Sequence, residues 1–251
     1  MAEGVRARAQ MGWLLSFGDT VTLLITFFIM MLALNYGAIS RVQKWVDDTL
    51  AETHAFLQAE VRSRGLTYFR ILRDPRGVLI RINNSDAFES GSAVPSASLR
   101  EQLSELGYVL RLMPLLSVQE TAAGRRIVLR AREYGQVWQV NIEVEGHTDA
   151  DPIAPTSPLR DNWILSALRA ERVADRLQKT SLLPRPLFSI VGYGDTRPLA
   201  PNDTPAHKAL NRRIDIVISA QFVSEAQAAK NRVVKKSGTP SAEAETPVSN
   251  K

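Results

Sequence analysis

The feature that most constrains this chain is an apolar run from Leu14 to Leu34 that holds a single carboxylate, Asp19. Between Arg8 and Arg41 no other side chain is charged at neutral pH. About 20 apolar residues cross a bilayer as a helix, which satisfies its own backbone hydrogen bonds there. Trp13 and Tyr36 flank the run, where amphipathic rings favour a lipid–water boundary. A cleaved secretory leader fits less well: its apolar stretch is shorter, and no small-x-small site follows Leu34. The run therefore predicts an uncleaved membrane helix over residues 13–35, preceded by a cytoplasmic stub, 1–12. Arg6 and Arg8 before it nearly balance Arg41 and Lys44 after it. The long domain beyond the run, rather than the basic residues, sets the expected direction.

An aspartate in a membrane helix costs about 2.5–3.5 kcal/mol, so it usually faces a partner helix or a water-filled path. Thr22 and Thr26 share its helical face, with Ser16 nearby, which makes a narrow polar stripe. A structural carboxylate bonded to a neighbouring helix is one reading. The other is an ion relay: a carboxylate in changing surroundings takes up and releases a proton, and with hydroxyls beside it can equally ligate sodium. The segment from Trp13 to Phe28, with its short polar stretch delivering Asp19 before an apolar run, resembles the N-terminal helix of the MotB/PomB family of stator B subunits. That resemblance implies that Asp19 is the ion-binding residue.

The remainder reads as a soluble protein. Its net charge of +5 comes with no basic patch interleaved with aromatics, which excludes nucleic acid as a partner. The absence of cysteine removes disulfides and thiolate metal sites. Residues 41–62 place Val42, Trp45, Val46, Leu50, Phe56, Leu57 and Val61 at helical spacing. This stretch resembles in position the amphipathic plug of stator B subunits, with a plain linker helix as the alternative. A domain over 66–222 follows: a hairpin turning at Asp74 to Gly77, a helix with Leu99, Leu103, Leu106, Leu110 and Met113 inward, and a strand at 137–145. A helix over 163–179 with Leu168, Val173, Ala174 and Leu177 inward, a strand at 187–191, a loop, and a strand at 213–219 complete it. This alternation predicts an α/β sandwich with helices on one face of a mixed sheet. Residues 223–251 are polar and basic, and are expected to be a disordered tail.

Four ordered motifs mark the domain: Gly146 to Asp149 at a strand end, Asn162, Leu165, Ser166, Arg169 and Ala170 on the next helix, Gly192 to Gly194, and Asn211 to Arg213. Together they resemble the OmpA C-terminal family over roughly 78–219, and imply a peptidoglycan-binding fold. Diaminopimelate presents an ammonium and a carboxylate on one carbon; Asp149 suits the first and the planar fork of Arg169 the second. The family pattern makes these two the primary pair, with Thr148, Asn211 and Arg212 in support. The segment 114–136, with Arg125, Arg126, Arg130 and Arg132, departs from that pattern and is expected to form a strand or hairpin.

By resemblance, the chain is an inner-membrane, single-pass stator subunit with a periplasmic domain. Its partners would be a multi-span MotA/PomA-like A subunit, a second copy of itself, peptidoglycan and, through the A subunit, the flagellar rotor. No cofactor is expected beyond a translocated proton or sodium ion. A related ion-driven complex, such as a Zorya-type phage-defence motor, and a passive membrane-to-wall tether are the alternatives. A hydrolase built on His147, Asp149 and Asp151 is disfavoured, since no serine elbow, zincin helix or P-loop is present.

Overall fold

The computed structural model describes residues 2–89, 91–153 and 161–237. The chain divides into two compact units, residues 1–47 and 48–251.

Helix α1 (Ala2–Ser63) supplies the first unit and continues into the second. Within it, Gly12–Ala33 is long and apolar enough to cross a membrane, and its side chains are almost all exposed in the isolated chain. The Trp13 and Phe17 rings stack with centroids 5.5 Å apart. The membrane helix and the helix expected at 41–62 form one continuous helix. The intervening residues 35–40 contain no proline and a single glycine, Gly37, so nothing there removes a helical hydrogen bond. Leu57 and Val61 are buried in the core of the second unit, with Leu50 and Phe56 packed against it. The last turns of the expected plug or linker helix thus belong to the folded domain.

That domain is built on a five-stranded sheet in the order β1-β2-β5-β3-β4. The strands are β1 (Phe69–Asp74), β2 (Gly77–Ile82), β3 (Gln136–His147), β4 (Phe188–Gly192) and β5 (Arg213–Ser224). All neighbours are antiparallel except β3 and β4. A parallel pair cannot be joined by a tight turn, and α4 (Asn162–Ser181) makes the crossover. Helix α2 (Ala97–Arg111) packs beside α4, and every predicted inward residue of α2, with Met113 after it, is buried. On α4, Val173, Ala174 and Leu177 are buried as expected and Leu168 is half-buried.

Register explains where the core lies. Val78, Ile218 and Ile142 form one rung across the three central strands, and Ile80, Ile216 and Val144 the next. All six are buried and face the helices. In the third rung Ile82 and Ile214 lead to Gly146 and Gly192. The loss of side chains there has a steric cause: a Cβ on Gly146 would run into the Ser166 carbonyl oxygen, and one on Gly192 would lie 2.7 Å from Ala167. The two glycines let the first turns of α4 lie directly on the strand ends.

Three expectations are corrected. The segment 114–136 forms a 3₁₀ turn at Pro114–Leu116 and then α3 (Ala122–Glu133), capped by the Thr121 hydroxyl accepting from Gly124 N–H at 3.0 Å. Gly124 and Val128, one turn apart, are its buried contacts, and Trp138 Nε1 donates to the Leu115 carbonyl at 3.1 Å. The loop after β4 contains α5 (Pro205–Asn211), started by Thr204 and a proline in its first turn. The expected disordered tail is ordered through α6 (Glu225–Ser237), where Asn231 donates to Gln139 at 3.2 Å. Residues 238–251 lie outside the described residues.

Gly146→Ala should lower domain stability by about 3 kcal/mol, because the clash is with backbone on a packed helix. Urea unfolding followed by tryptophan fluorescence measures this, and an unchanged midpoint would contradict the close packing.

Candidate functional site

At the end of the parallel pair the chain is tied across both strands. Tyr193 N–H donates to the Gly146 carbonyl and Thr148 N–H to the Gly194 carbonyl, each at 2.9 Å, while Gly194 N–H donates to Ser166 Oγ at 2.9 Å. Asp149 follows just beyond. Its Oδ2 accepts from Arg212 Nη1 at 2.6 Å, and its Oδ1 from Asp151 N–H at 3.3 Å. Asn162 Nδ2 donates to the carbonyls of Asp149 and Asp151, at 3.2 and 2.8 Å, and Lys208 Nζ meets Asp151 at 2.6 Å.

Arg169 lies on the buried stripe of α4, between Leu165 and Ser166 on one side and Ala170 and Val173 on the other. It is 7% exposed. Its Nε donates to the Ser92 carbonyl at 2.8 Å and its Nη2 to the Glu89 carbonyl at 3.3 Å, and its guanidinium lies 4.9 Å from the centre of the Phe88 ring. A guanidinium has more N–H donors than these two carbonyls use. Burial pulls Arg169 down to about 10, with Asp149 opposing the change and Arg212 adding to it. It remains a cation at neutral pH. A cleft lined by Ile82, Ser85, Ala87 and Phe88 carries Arg169 and Arg212 in its wall. One carboxylate and two guanidiniums thus converge here, one guanidinium fixed by the protein and the other, Arg212, 41% exposed and paired with Asp149.

The residues read from the sequence separate into two groups. Asp149, Arg169 and Arg212 come together, and Thr148 beside them is buried with its hydroxyl unpartnered among the described residues. Asn211 has a different position: it is fully buried, and its amide accepts from Leu199 and Ala200 N–H and donates to Ala200 O and Asn202 Oδ1. It shapes the 199–202 loop, and Asn202 in turn accepts from Ala150 N–H at 3.2 Å. Three contributors were not legible. Lys208 sits on the unexpected helix α5, and Glu89 and Ser92 act through carbonyls that any residue could supply.

The sheet face away from α2 and α4 carries a buried charged layer. Arg81 meets Asp215 at 2.7 and 2.9 Å, Arg213 meets the same carboxylate at 2.9 Å, and Arg76 meets Glu145 at 2.5 Å. His147 stacks on Tyr193 with centroids 5.2 Å apart, and its Nε2 stands 3.9 Å from Glu145. Glu145, His147 and Asp215 bring possible ligand atoms within 4.8 Å of one another. The two carboxylates are already matched by three guanidiniums, which leaves no negative charge for a cation. Burial pushes the Glu145 carboxyl up, but His147 and the Arg76 fork outweigh it and hold it at about 2.

A carboxyl depressed from its ordinary 4.5 stabilises the fold fully above 4.5 and loses that contribution as pH falls towards 2. Glu145→Gln should therefore cost about 3 kcal/mol at neutral pH. Urea unfolding at a series of pH values should show the gap between variant and native protein closing between 4.5 and 2.

Comparison with known proteins identifies both parts of the chain. Residues 3–46 match the family model described as membrane MotB of the proton-channel complex MotA/MotB, and residues 122–212 match the OmpA family. The second match begins at α3, so that helix falls inside the matched residues. An uncharacterised protein of Bacillus subtilis (strain 168), YtxE, is 25% identical over 86% of this chain and 91% of its own length. Motility protein B of the same organism is 27% identical over 74% of this chain, which spans 56% of that protein. A crystal structure of a MotB-like protein from Desulfovibrio vulgaris shares the fold, with a TM-score of 0.55 and 20% identity over 72% of this chain and 96% of the other. A MotB-type segment followed by an OmpA-type domain on a five-stranded mixed sheet makes this chain a MotB-family protein with an OmpA-like domain.

Proposed function

We propose that this chain is the B subunit of an ion-driven flagellar stator, held in the inner membrane by α1 and anchored to peptidoglycan by its periplasmic OmpA-like domain. The observation that carries this reading is the pairing, on one chain, of a lone carboxylate in an apolar span with a distal site of one carboxylate and two guanidiniums. A tether needs no Asp19. A stator needs both ends, since torque on a rotor requires a subunit that does not turn with it.

Asp19 is the ion carrier in this proposal. Thr22 and Thr26 donate their hydroxyl hydrogens to the Gly18 and Thr22 carbonyls, at 2.6 and 2.7 Å. Their oxygens keep lone pairs that accept from a protonated carrier or ligate sodium. A single helix cannot enclose an ion path, so a multi-span MotA-like subunit and a second copy of this chain complete the channel. Ion binding and release at Asp19 change the local charge and bias the partner's conformation.

At the wall, Asp149 receives the ammonium of a zwitterionic stem-peptide centre, and Arg169 and Arg212 receive its carboxylate. Arg212 must first release Asp149, so it competes with the ligand's ammonium. Arg169 is held by Glu89 and Ser92 and stays in place. Thr148 stands beside the site, and Asn211 holds it through the 199–202 loop.

Asp19→Asn keeps the size and removes titration; motile cells carrying it should lose torque while the protein still pellets with isolated sacculi. Rotation that survives the substitution would refute the relay. Asp149→Ala should abolish most sacculus binding by the full-length, detergent-solubilised chain. Arg169 has packing duties, so Arg169→Lys is the informative variant: it keeps the charge and loses the fork, and should weaken binding at least ten-fold with an unchanged circular-dichroism spectrum. Pelleting like that of the native protein in both variants would remove the wall-anchor assignment.

A further inference from the structure

Helix α3 carries Arg125, Arg126, Arg130 and Arg132, all exposed. Among the described residues none of the four forms an ion pair; Arg125 Nε donates to the Gln119 carbonyl at 3.0 Å and Arg126 Nε to the Ala122 carbonyl at 3.3 Å. Gly124 and Val128 are the helix's buried contacts, so the arginines hold the remaining surface. Leu129 stands among them, 52% exposed, three or four residues from Arg125, Arg126 and Arg132 and so their neighbour on the helix. Tyr134, just past the helix end, is 77% exposed.

Helix electrostatics accounts for half of this pattern. Arg130 and Arg132 lie in the last turn, where the unpaired carbonyls attract cations. Arg125 and Arg126 lie in the other half, where the same field disfavours them, and the first turn has no acidic residue to offset it. Core packing does not require them either, since both side chains are exposed.

We propose that this face of α3 docks on an anionic phospholipid surface, supplied by the bilayer that the chain itself spans. Guanidinium forks match phosphate oxygens two at a time. A headgroup layer also admits the single exposed Leu129 without a preformed pocket, and an amphipathic ring such as Tyr134 favours that depth. A second copy of the chain does not fit: a two-fold axis through this face would set unpaired arginines against arginines. Each basic residue at such a surface contributes roughly five-fold to partitioning, and a domain already tethered to the membrane needs little more to dock.

The chain has no cysteine, so Ala123→Cys, at an exposed position on α3, gives a unique attachment point for a fluorophore. The labelled full-length chain would be placed in nanodiscs of phosphatidylcholine, or of phosphatidylcholine with phosphatidylglycerol, each carrying a headgroup-linked quencher. Quenching should appear with the anionic lipid, be absent in the neutral discs, and disappear near 1 M salt, where the screening length is about 3 Å. The variant R125Q/R126Q/R130Q/R132Q should lower the docking constant by roughly two to three orders of magnitude. Equal quenching in neutral and anionic discs, or salt-independent quenching of the native arginines, overturns the proposal, and neither observation depends on the variant folding. If the four arginines are needed for pelleting with sacculi and leave disc quenching unchanged, they serve the wall, and the proposal fails.

Discussion

The close approach of α4 to the ends of β3 and β4 underlies most of what this domain does. Gly146 and Gly192 occupy the rung where every other central strand presents isoleucine. Their missing side chains let the Ser166 and Ala167 backbone rest on the sheet. One turn further along the same buried stripe comes Arg169, delivered against the strand ends where Asp149 emerges. Ser166 completes the arrangement by accepting from Gly194 N–H, which ties the loop after β4 to the helix. A few tenths of an ångström lost at the glycines would move the guanidinium and the carboxylate relative to each other.

Arg169 holds the fold together at the same place where it lines the cleft. Its partners Phe88, Glu89 and Ser92 come from a loop far away in sequence, so it closes the domain as well as lining the cleft. Taking a cation this far out of water is costly unless it is hydrogen-bonded. The two carbonyls and the nearby Asp149 carboxylate provide that compensation. Arg212 differs in being part-exposed and, among the described residues, bonded through its side chain only to Asp149. One arginine is fixed by backbone carbonyls and the other by a single carboxylate, an arrangement that fits the zwitterionic ligand proposed above.

The opposite sheet face raises a related question of charge burial. Glu145 and Asp215 are nearly inaccessible, yet each accepts from an arginine, and Asp215 from two. Such layers add little net stability compared with apolar packing and are strongly destabilising when one member is removed. Their cross-strand spacing also distinguishes the correct register from one slipped by a residue, which would drive these charges into the isoleucine core.

Periodicity and single residues with few alternatives were legible in the chain itself. The apolar run around Asp19, the α2 stripe, the strand alternations and the glycine-marked motifs each follow from local backbone geometry, which neighbouring residues dictate. Helix α3 is amphipathic, but its β-branched Ile127-Val128 pair also suits a strand, and the seven-residue α5 is too short to show a period. The order of α6 depends on a partner, Gln139, that sequence order does not reveal. The site divides along the same line. The ordered motifs that resemble the OmpA C-terminal family point to Asp149, Arg169 and Arg212, and the first two carry the charges that suit an ammonium and a carboxylate. Only the tertiary structure decided that Asn211 holds a loop, that Lys208 joins Asp151, and that Arg169 is gripped by two carbonyls. Those roles are set by long-range packing, which places backbone groups of no particular sequence within hydrogen-bonding distance.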